Sequence, residues 1–193
     1  MKRAITLGAI GLFLAFFLMY GCNKRNAFVD LNETVKSQWQ QIESQYQRRS
    51  DLIPNIVATV KGQANFEKGT LEAVISARAK ATQVTIDPTN INEGNMEQFK
   101  KVQGELSSSL SRLLAVSENY PDLKTNQAFG DLRVELEGCE NRIAVERMTY
   151  NNVVKDFNAA IKKIPASLFA WGYKDAVYFK SDAGAEKAPK VEL

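Results

Sequence analysis

Apolar residues recur at helical spacing in four stretches of this chain, and strand-like alternation is nearly absent. The first stretch runs from about Ala27 to Gln47. Phe28, Leu31, Val35, Trp39, Ile42 and Tyr46 return every three or four positions there, while Lys36, Gln40 and Glu43 face away. The second follows Ser50-Asp51, either of which caps a helix start, with Pro54 tolerated in the first turn. Its stripe of Ile53, Ile56, Val57, Val60, Ala64, Leu71, Val74 and Ile75 ends near Thr82. Gly62 and Gly69 interrupt it at a cost of about 1 kcal/mol each relative to alanine, so packing has to support this helix. A polar loop from Gln83 to Asn95, containing Asp87-Pro88, closes it.

The third stretch places Met96, Phe99, Val102, Leu106, Leu110, Leu113 and Leu114 on one side. Tyr120-Pro121-Asp122 breaks it and starts a last helix from about Leu123 to Ile164. Its near-heptad seam is Phe129, Leu132, Leu136, Cys139, Ile143, Tyr150, Val153, Phe157 and Ile164. Four such helices with short connections bury their stripes against one another. The predicted fold is therefore all-α, an antiparallel up-and-down four-helix bundle with long helices. The joint at Arg48 to Pro54 decides the helix number. A tight turn there gives four helices and is the expectation; a mere kink gives one long first helix and three in total.

Ahead of the periodic region lies a different pattern. Met1, Lys2 and Arg3 lead into an apolar run from Ala4 to Tyr20 that closes at Gly21-Cys22. Two readings fit. One is a lipoprotein signal peptide, with Cys22 the candidate lipid attachment residue and Gly21 the small residue before it; Met19 and Tyr20 depart from the usual pattern. The other is an uncleaved transmembrane helix. The 19 residues from Ala4 to Cys22 make about 28 Å of helix, just enough for a bilayer core of about 30 Å. The lipoprotein is favoured, and in both cases the domain is expected outside the cytoplasm. Three regions result: an anchor segment at 1–22, a helical bundle at 26–165, and an aromatic-rich segment with a flexible tail at 166–193. The aromatic part, Leu168 to Lys180, is expected to fold back over a bundle end.

Composition removes several functions. The formal charge of +3 falls to +1 once Lys2 and Arg3 are set aside, because 25 − 2 = 23 basic side chains then face 22 acidic ones. No basic stripe exists, so nucleic acid is not an expected partner. Histidine is absent, which excludes His-based triads, His-liganded zinc or haem and the Glu-x-x-His pairs of di-iron bundles. Cys22 and Cys139 are the two cysteines, with no Cys-x-x-Cys pair; Cys139 reads as a small core residue. No catalytic, cofactor-binding or metal-binding residues are expected, and no cofactor.

Polar residues on the seam are the remaining chemistry. Glu146 falls where the last helix's heptad calls for an apolar residue, with Arg142, Arg147, Asn151 and Asn158 near it. Arg78 sits close to the second stripe, and Arg48-Arg49 with Asp51 mark the expected turn. A paired polar layer that sets register is the favoured reading; a charged ligand pocket inside the bundle is the alternative.

The run Gln47-Arg48-Arg49-Ser50-Asp51-Leu52-Ile53-Pro54-Asn55-Ile56-Val57, with Val60-Lys61-Gly62, Phe66-Glu67 and Ala77-Arg78-Ala79, strongly resembles the LemA family. So does Tyr120-Pro121-Asp122-Leu123-Lys124-Thr125-Asn126, followed by Leu136-Glu137-Gly138-Cys139-Glu140-Asn141-Arg142-Ile143, Arg147 and Tyr150-Asn151. The pieces keep the family's order over roughly 26–165. The resemblance implies an N-terminal membrane segment before an antiparallel helical bundle, and a family without an established enzymatic activity or cofactor. Two departures concern the anchor: Arg25-Asn26 stands where relatives commonly have Tyr-Asn, and Cys22 follows a segment that in many relatives is a plain transmembrane helix. The expected function is a non-enzymatic, membrane-anchored scaffold of the cell envelope that binds another protein. The alternative is a ligand-binding sensor using the polar layer.

Overall fold

The computed structural model describes residues 2–63 and 66–180, with side chains described from Leu7 onward except Ala9. Ala64 of the second predicted stripe and the tail after Lys180 fall outside these residues. Among the described residues the regular structure is all helical: α1 Lys2–Lys61, α2 Lys68–Gln83, α3 Glu93–Ser117, a single turn α4 Pro121–Lys124, and α5 Gln127–Lys162. A 3-10 turn follows at Ala166–Phe169.

The expected turn at Arg48 to Pro54 is absent. α1 runs 60 residues without interruption and holds Pro54 in its interior. A proline there has no N–H, so the carbonyl four residues earlier, that of Ser50, loses its helical partner. Arg78 Nε on α2 donates to that same carbonyl at 2.9 Å. The neighbouring helix thus supplies the missing donor, and the chain takes the alternative of one long first helix in place of the turn. The chain reverses instead after Gly62, where the helix ends and α2 begins six residues beyond Lys61-Gly62 at Lys68.

Other boundaries moved for local reasons. α3 starts at Glu93 because Asn92 and Asn95 form a reciprocal capping box, the side chain of each bonding the other's backbone N–H. The last helix does not begin at Leu123: Pro121–Lys124 makes one turn, and Asn126 caps anew by accepting from the Phe129 N–H at 3.1 Å.

Pairings across the helices fix direction. Gln38 donates to Glu146, and Arg48 pairs with Glu135 at 3.0 Å, so position falls along α5 as it rises along α1. Arg112 with Glu67 at 3.3 Å and Lys80 with Glu105 at 3.6 Å set the same opposed sense between α2 and α3.

Two apolar clusters fill the interior. One joins Phe28, Val35, Trp39, Ile42 and Tyr46 of α1 to Met96 and Phe99 of α3 and to Ile143, Tyr150, Val154 and Phe157 of α5. The other joins Leu52, Ile53, Ile56 and Val60 to Val74, Ala77 and Ala81 of α2, Leu106, Leu110 and Leu113 of α3, and Leu136 and Cys139 of α5. Cys139 is fully buried, as its apolar setting predicts. Two stripe assignments fail: Ile75 and Ile164 are exposed, while Val154 and Ile161 are buried in their region of α5. Drift between a 3.5-residue repeat and the 3.6-residue helix accounts for the slip at the far end of a long seam.

The aromatic segment does not fold over a bundle end. It lies extended along the side of α5, where Asn158 holds both backbone groups of Ala176 at 2.8 and 2.9 Å and Asn151 holds both of Phe179 at 2.8 and 2.9 Å. Trp39 Nε1 donates to the Ile86 carbonyl at 3.3 Å, and the Ile86 N–H donates to Glu43 at 3.3 Å, which docks the α2–α3 loop on α1.

Candidate functional site

Where the two clusters meet, the interior turns polar. Arg49 is 1% exposed and sits over the Tyr46 ring at 5.0 Å. Its Nη1 donates to Ser107 Oγ at 2.6 Å and to Glu140 Oε1 at 2.7 Å. Its Nη2 donates to Gln103 Oε1 at 2.6 Å and to the Gln103 carbonyl at 3.3 Å. One guanidinium therefore ties α1 to α3 and α5. Gln103 Nε2 reaches on to the Ala81 carbonyl of α2 at 3.4 Å, which brings the fourth long helix into the layer. Arg49 Nε and the Ser50 hydroxyl are buried without a hydrogen-bond partner.

Arginine suits this place because its planar fork serves several acceptors at once. Glu140 keeps 41% of its side chain exposed, so the charge pair is only half withdrawn from water. In a pair of this kind desolvation of the guanidinium opposes the attraction, so its net contribution to stability is small.

The structure brings some of the sequence-predicted polar residues together and scatters others. Arg49 and Glu140 meet. Arg78 and Pro54 meet through the Ser50 carbonyl. Arg147, Tyr150 and Asn151 form a second group on α5 that holds the extended segment: the Arg147 guanidinium lies 4.2 Å over the Phe179 ring, and Tyr150 Oη donates to the Val177 carbonyl at 2.9 Å. Burial raises the Tyr150 phenol pKa, which keeps it a donor. Arg48 pairs with Glu135 at the surface, and Asp51 accepts from Gln47 one turn away at 2.8 Å. Asn141 and Arg142 are exposed. Glu146, singled out as the seam's odd residue, is half-buried and bonded to Gln38 at the rim of the bundle.

Gln103 and Ser107 were missed. Gln103 lies four residues after Phe99 and three before Leu106, so a polar residue on the apolar stripe was its signal.

Beside the layer, a solvent-open groove of ≈ 430 Å³ is walled by Lys100, Lys101, Gln103, Glu140 and Arg147. Its charges are mixed in sign, and Arg49 at its base has both terminal nitrogens engaged. Among the described residues no three His, Cys, Asp or Glu side chains are grouped to hold a metal ion. Cys22 is an exposed free thiol on α1.

A family model described as the LemA family matches residues 38–193. The match takes in both motif-bearing regions and the extended segment, and begins after the departure at Arg25-Asn26. Magnetosome protein MamQ 2 of Paramagnetospirillum magneticum is 25% identical over 195 residues, covering 91% of this chain and 70% of that protein. Magnetosome protein MamQ of Magnetospirillum gryphiswaldense is 24% identical over the same shares. Protein LemA of Metamycoplasma hominis is 25% identical over 146 residues, 76% of this chain and 63% of its own length.

Proposed function

The chain belongs to the LemA family, and on that premise we propose that it is a non-enzymatic scaffold of the cell envelope, anchored by its N-terminal helix. Its bundle, an antiparallel up-and-down arrangement of α1, α2, α3 and α5, stands on the non-cytoplasmic side and works by binding another protein.

One observation carries the anchor. α1 is a single helix whose early turns expose Leu7, Ile10, Leu12, Phe13, Leu14, Phe16, Leu18 and Met19 on every side, and which becomes a core helix from Phe28 onward. So many large apolar side chains around one helix suit lipid and not water. Among the described residues no helix holds a stretch long and apolar enough to cross a membrane; the reading draws on the whole run from Ala4 to Cys22, part of whose side chains are outside that description.

The uncleaved anchor is preferred to the lipoprotein. Phe169 packs on Phe17 at 5.1 Å and on Tyr20 at 6.1 Å between ring centroids, and fits against Gly21 so closely that a Cβ there would lie 2.3 Å from its ring. Cleavage before Cys22 would remove all three contacts. The small residue ahead of the cysteine has a packing reason of its own.

Extraction of cell membranes at alkaline pH, followed by intact mass measurement, tests this. The expected outcome is a pellet-bound chain at its full precursor mass, for the wild type and for Cys22→Ser alike. A mass reduced by the leader and raised by acyl chains restores the lipoprotein, and release into the wash removes the anchor. Crosslinking in intact cells is expected to capture a reproducible protein partner at the bundle.

A ligand-sensing role is less well supported. The buried Arg49 is committed to Ser107, Gln103 and Glu140, so the layer holds helices together and leaves no free charge for a ligand beyond its one unpartnered Nε.

A further inference from the structure

The turn that follows α5 has a surface that the bundle does not need. Around Ala166–Phe169, Ile164 is 87% exposed, Leu168 65% and Trp171 71%, which is unusual for large apolar side chains so close together in sequence. The same turn is locked onto the base of the apolar part of α1. Phe169 occupies the Gly21 seat, and Arg25 Nη1 donates to the Trp171 carbonyl at 3.2 Å while its guanidinium lies 4.0 Å over the Trp171 ring.

These contacts set the height of the turn on the α1 axis. Phe169 stands level with Phe17 to Gly21, the last turn of the apolar run. Trp171 stands level with Arg25, about 6 Å further along the helix at 1.5 Å per residue. That offset spans the boundary between hydrocarbon and headgroups, where tryptophan is favoured because its ring is amphipathic. Lys24 and Arg25 on α1 and the exposed Lys163 and Lys174 flanking the turn add positive charge, which Asp175, paired with Lys162, offsets only in part, and this suits anionic headgroups.

We propose that Ile164, Leu168 and Trp171 form a second membrane contact, a surface that rests in the interface of an anionic bilayer beside the start of α1. This rests on the anchored reading above. With two contacts on one rigid body, the bundle cannot swing freely about a single tether; its long axis takes a defined tilt against the membrane.

Trp171 reports directly, because the other tryptophan, Trp39, is fully enclosed in the bundle. The full chain is reconstituted in phosphatidylcholine–phosphatidylglycerol vesicles carrying a nitroxide-labelled headgroup lipid, and flotation and tryptophan emission are followed together. The expected result is flotation with strong quenching of the wild type, and loss of that quenching in Trp171→Phe. Ile164→Asp with Leu168→Asp is expected to float equally and to lose most of the Trp171 quenching.

Flotation with equal quenching of the wild type and Trp171→Phe overturns the second contact and leaves the anchor standing. Quenching undiminished by the two aspartates overturns the three-residue surface. A wild-type chain that does not float overturns the anchor, and this contact with it.

Discussion

The bundle is built from two unlike halves, divided at Arg49. Toward the N-terminal end of α1 the core is aromatic: Phe28, Trp39, Tyr46, Phe99, Tyr150, Phe157 and Phe179. Trp39 touches Phe99 at 5.2 Å, Tyr150 at 5.7 Å and Phe179 at 6.5 Å between ring centroids. Beyond Arg49 the core is aliphatic, with Phe129 the aromatic among its buried members. The wall that covers each half differs as well. α2 covers the aliphatic half, whereas the α2–α3 loop and the extended segment through Phe179 cover the aromatic one. Helix α2 has only 16 residues against 36 in α5, so it cannot cover the whole seam. Rings reach across an open side and still meet irregular chain; branched aliphatic side chains need a second regular helix to mesh with.

The sharpest test of this division is one large deletion in each half. Trp39→Ala is expected to cost about 3–5 kcal/mol, and Leu113→Ala about 2–5 kcal/mol. The location of the damage distinguishes them. Hydrogen exchange should rise first across 84–92 and 173–179 in the tryptophan variant, and across α2 in the leucine variant. Equal loss of protection along the whole bundle in both would mean that the halves are one cooperative unit.

The boundary comes next. Arg49→Met is expected to cost about 2–3 kcal/mol, below the range for a fully buried pair because the stranded Glu140 regains water. Glu140→Gln should cost about 1 kcal/mol, since Ser107 and Gln103 still accept from the guanidinium. Urea midpoints of the two variants check the order. If the two losses come out equal, Glu140 and not the Gln103–Ser107 side holds the arginine.

A smaller effect lies just past the boundary. Arg78→Ala leaves the Ser50 carbonyl without a donor and is expected to cost about 1–2 kcal/mol. In a Pro54→Ala background the helix supplies its own N–H to that carbonyl, and the same change should cost little. A double-mutant cycle with no coupling would detach Arg78 from the proline.

The pair also shows what was legible in the sequence. Period-3.6 spacing placed Trp39, Val60, Leu106 and Cys139 in the interior correctly, because burial follows local pattern. Pro54 reads as a helix start because the sequence shows the missing N–H and not the arginine, 24 residues away, that replaces it. Gly62, a weak interruption by propensity alone, marks the true reversal. The sequence motifs contain Arg49 and Glu140, but their meeting depends on the register of three helices, which no local window contains. Asn151 and Asn158 stand out in the sequence as polar seam residues. That they clamp an extended backbone was invisible, since a main chain presents no sequence signal to its binder.

The smallest predicted effects separate the halves by pH. Glu43, on the aromatic side, has its carboxyl pushed above the ordinary range by burial, against the opposing Ile86 N–H. A raised folded-state value contributes stability that is present below the unfolded value and is lost as pH rises through the folded one. Glu118, at the aliphatic end, is held below the ordinary range by hydrogen bonds from Lys124 and Arg133. A lowered value contributes stability that is present above the unfolded value and is lost as pH falls through the folded one. The two glutamines should therefore show opposite slopes. Measured against wild type by urea midpoint, Glu43→Gln should gain as pH rises from mild acid to neutral, and Glu118→Gln should lose over the acid range below the ordinary carboxylate value. Because Glu118 is an exposed surface group, its slope should shrink in high salt while that of Glu43, set by burial, persists. Slopes of the same sign, or a salt-sensitive Glu43, would break the contrast between a half-enclosed carboxylate at the docked loop and a surface one at the far end.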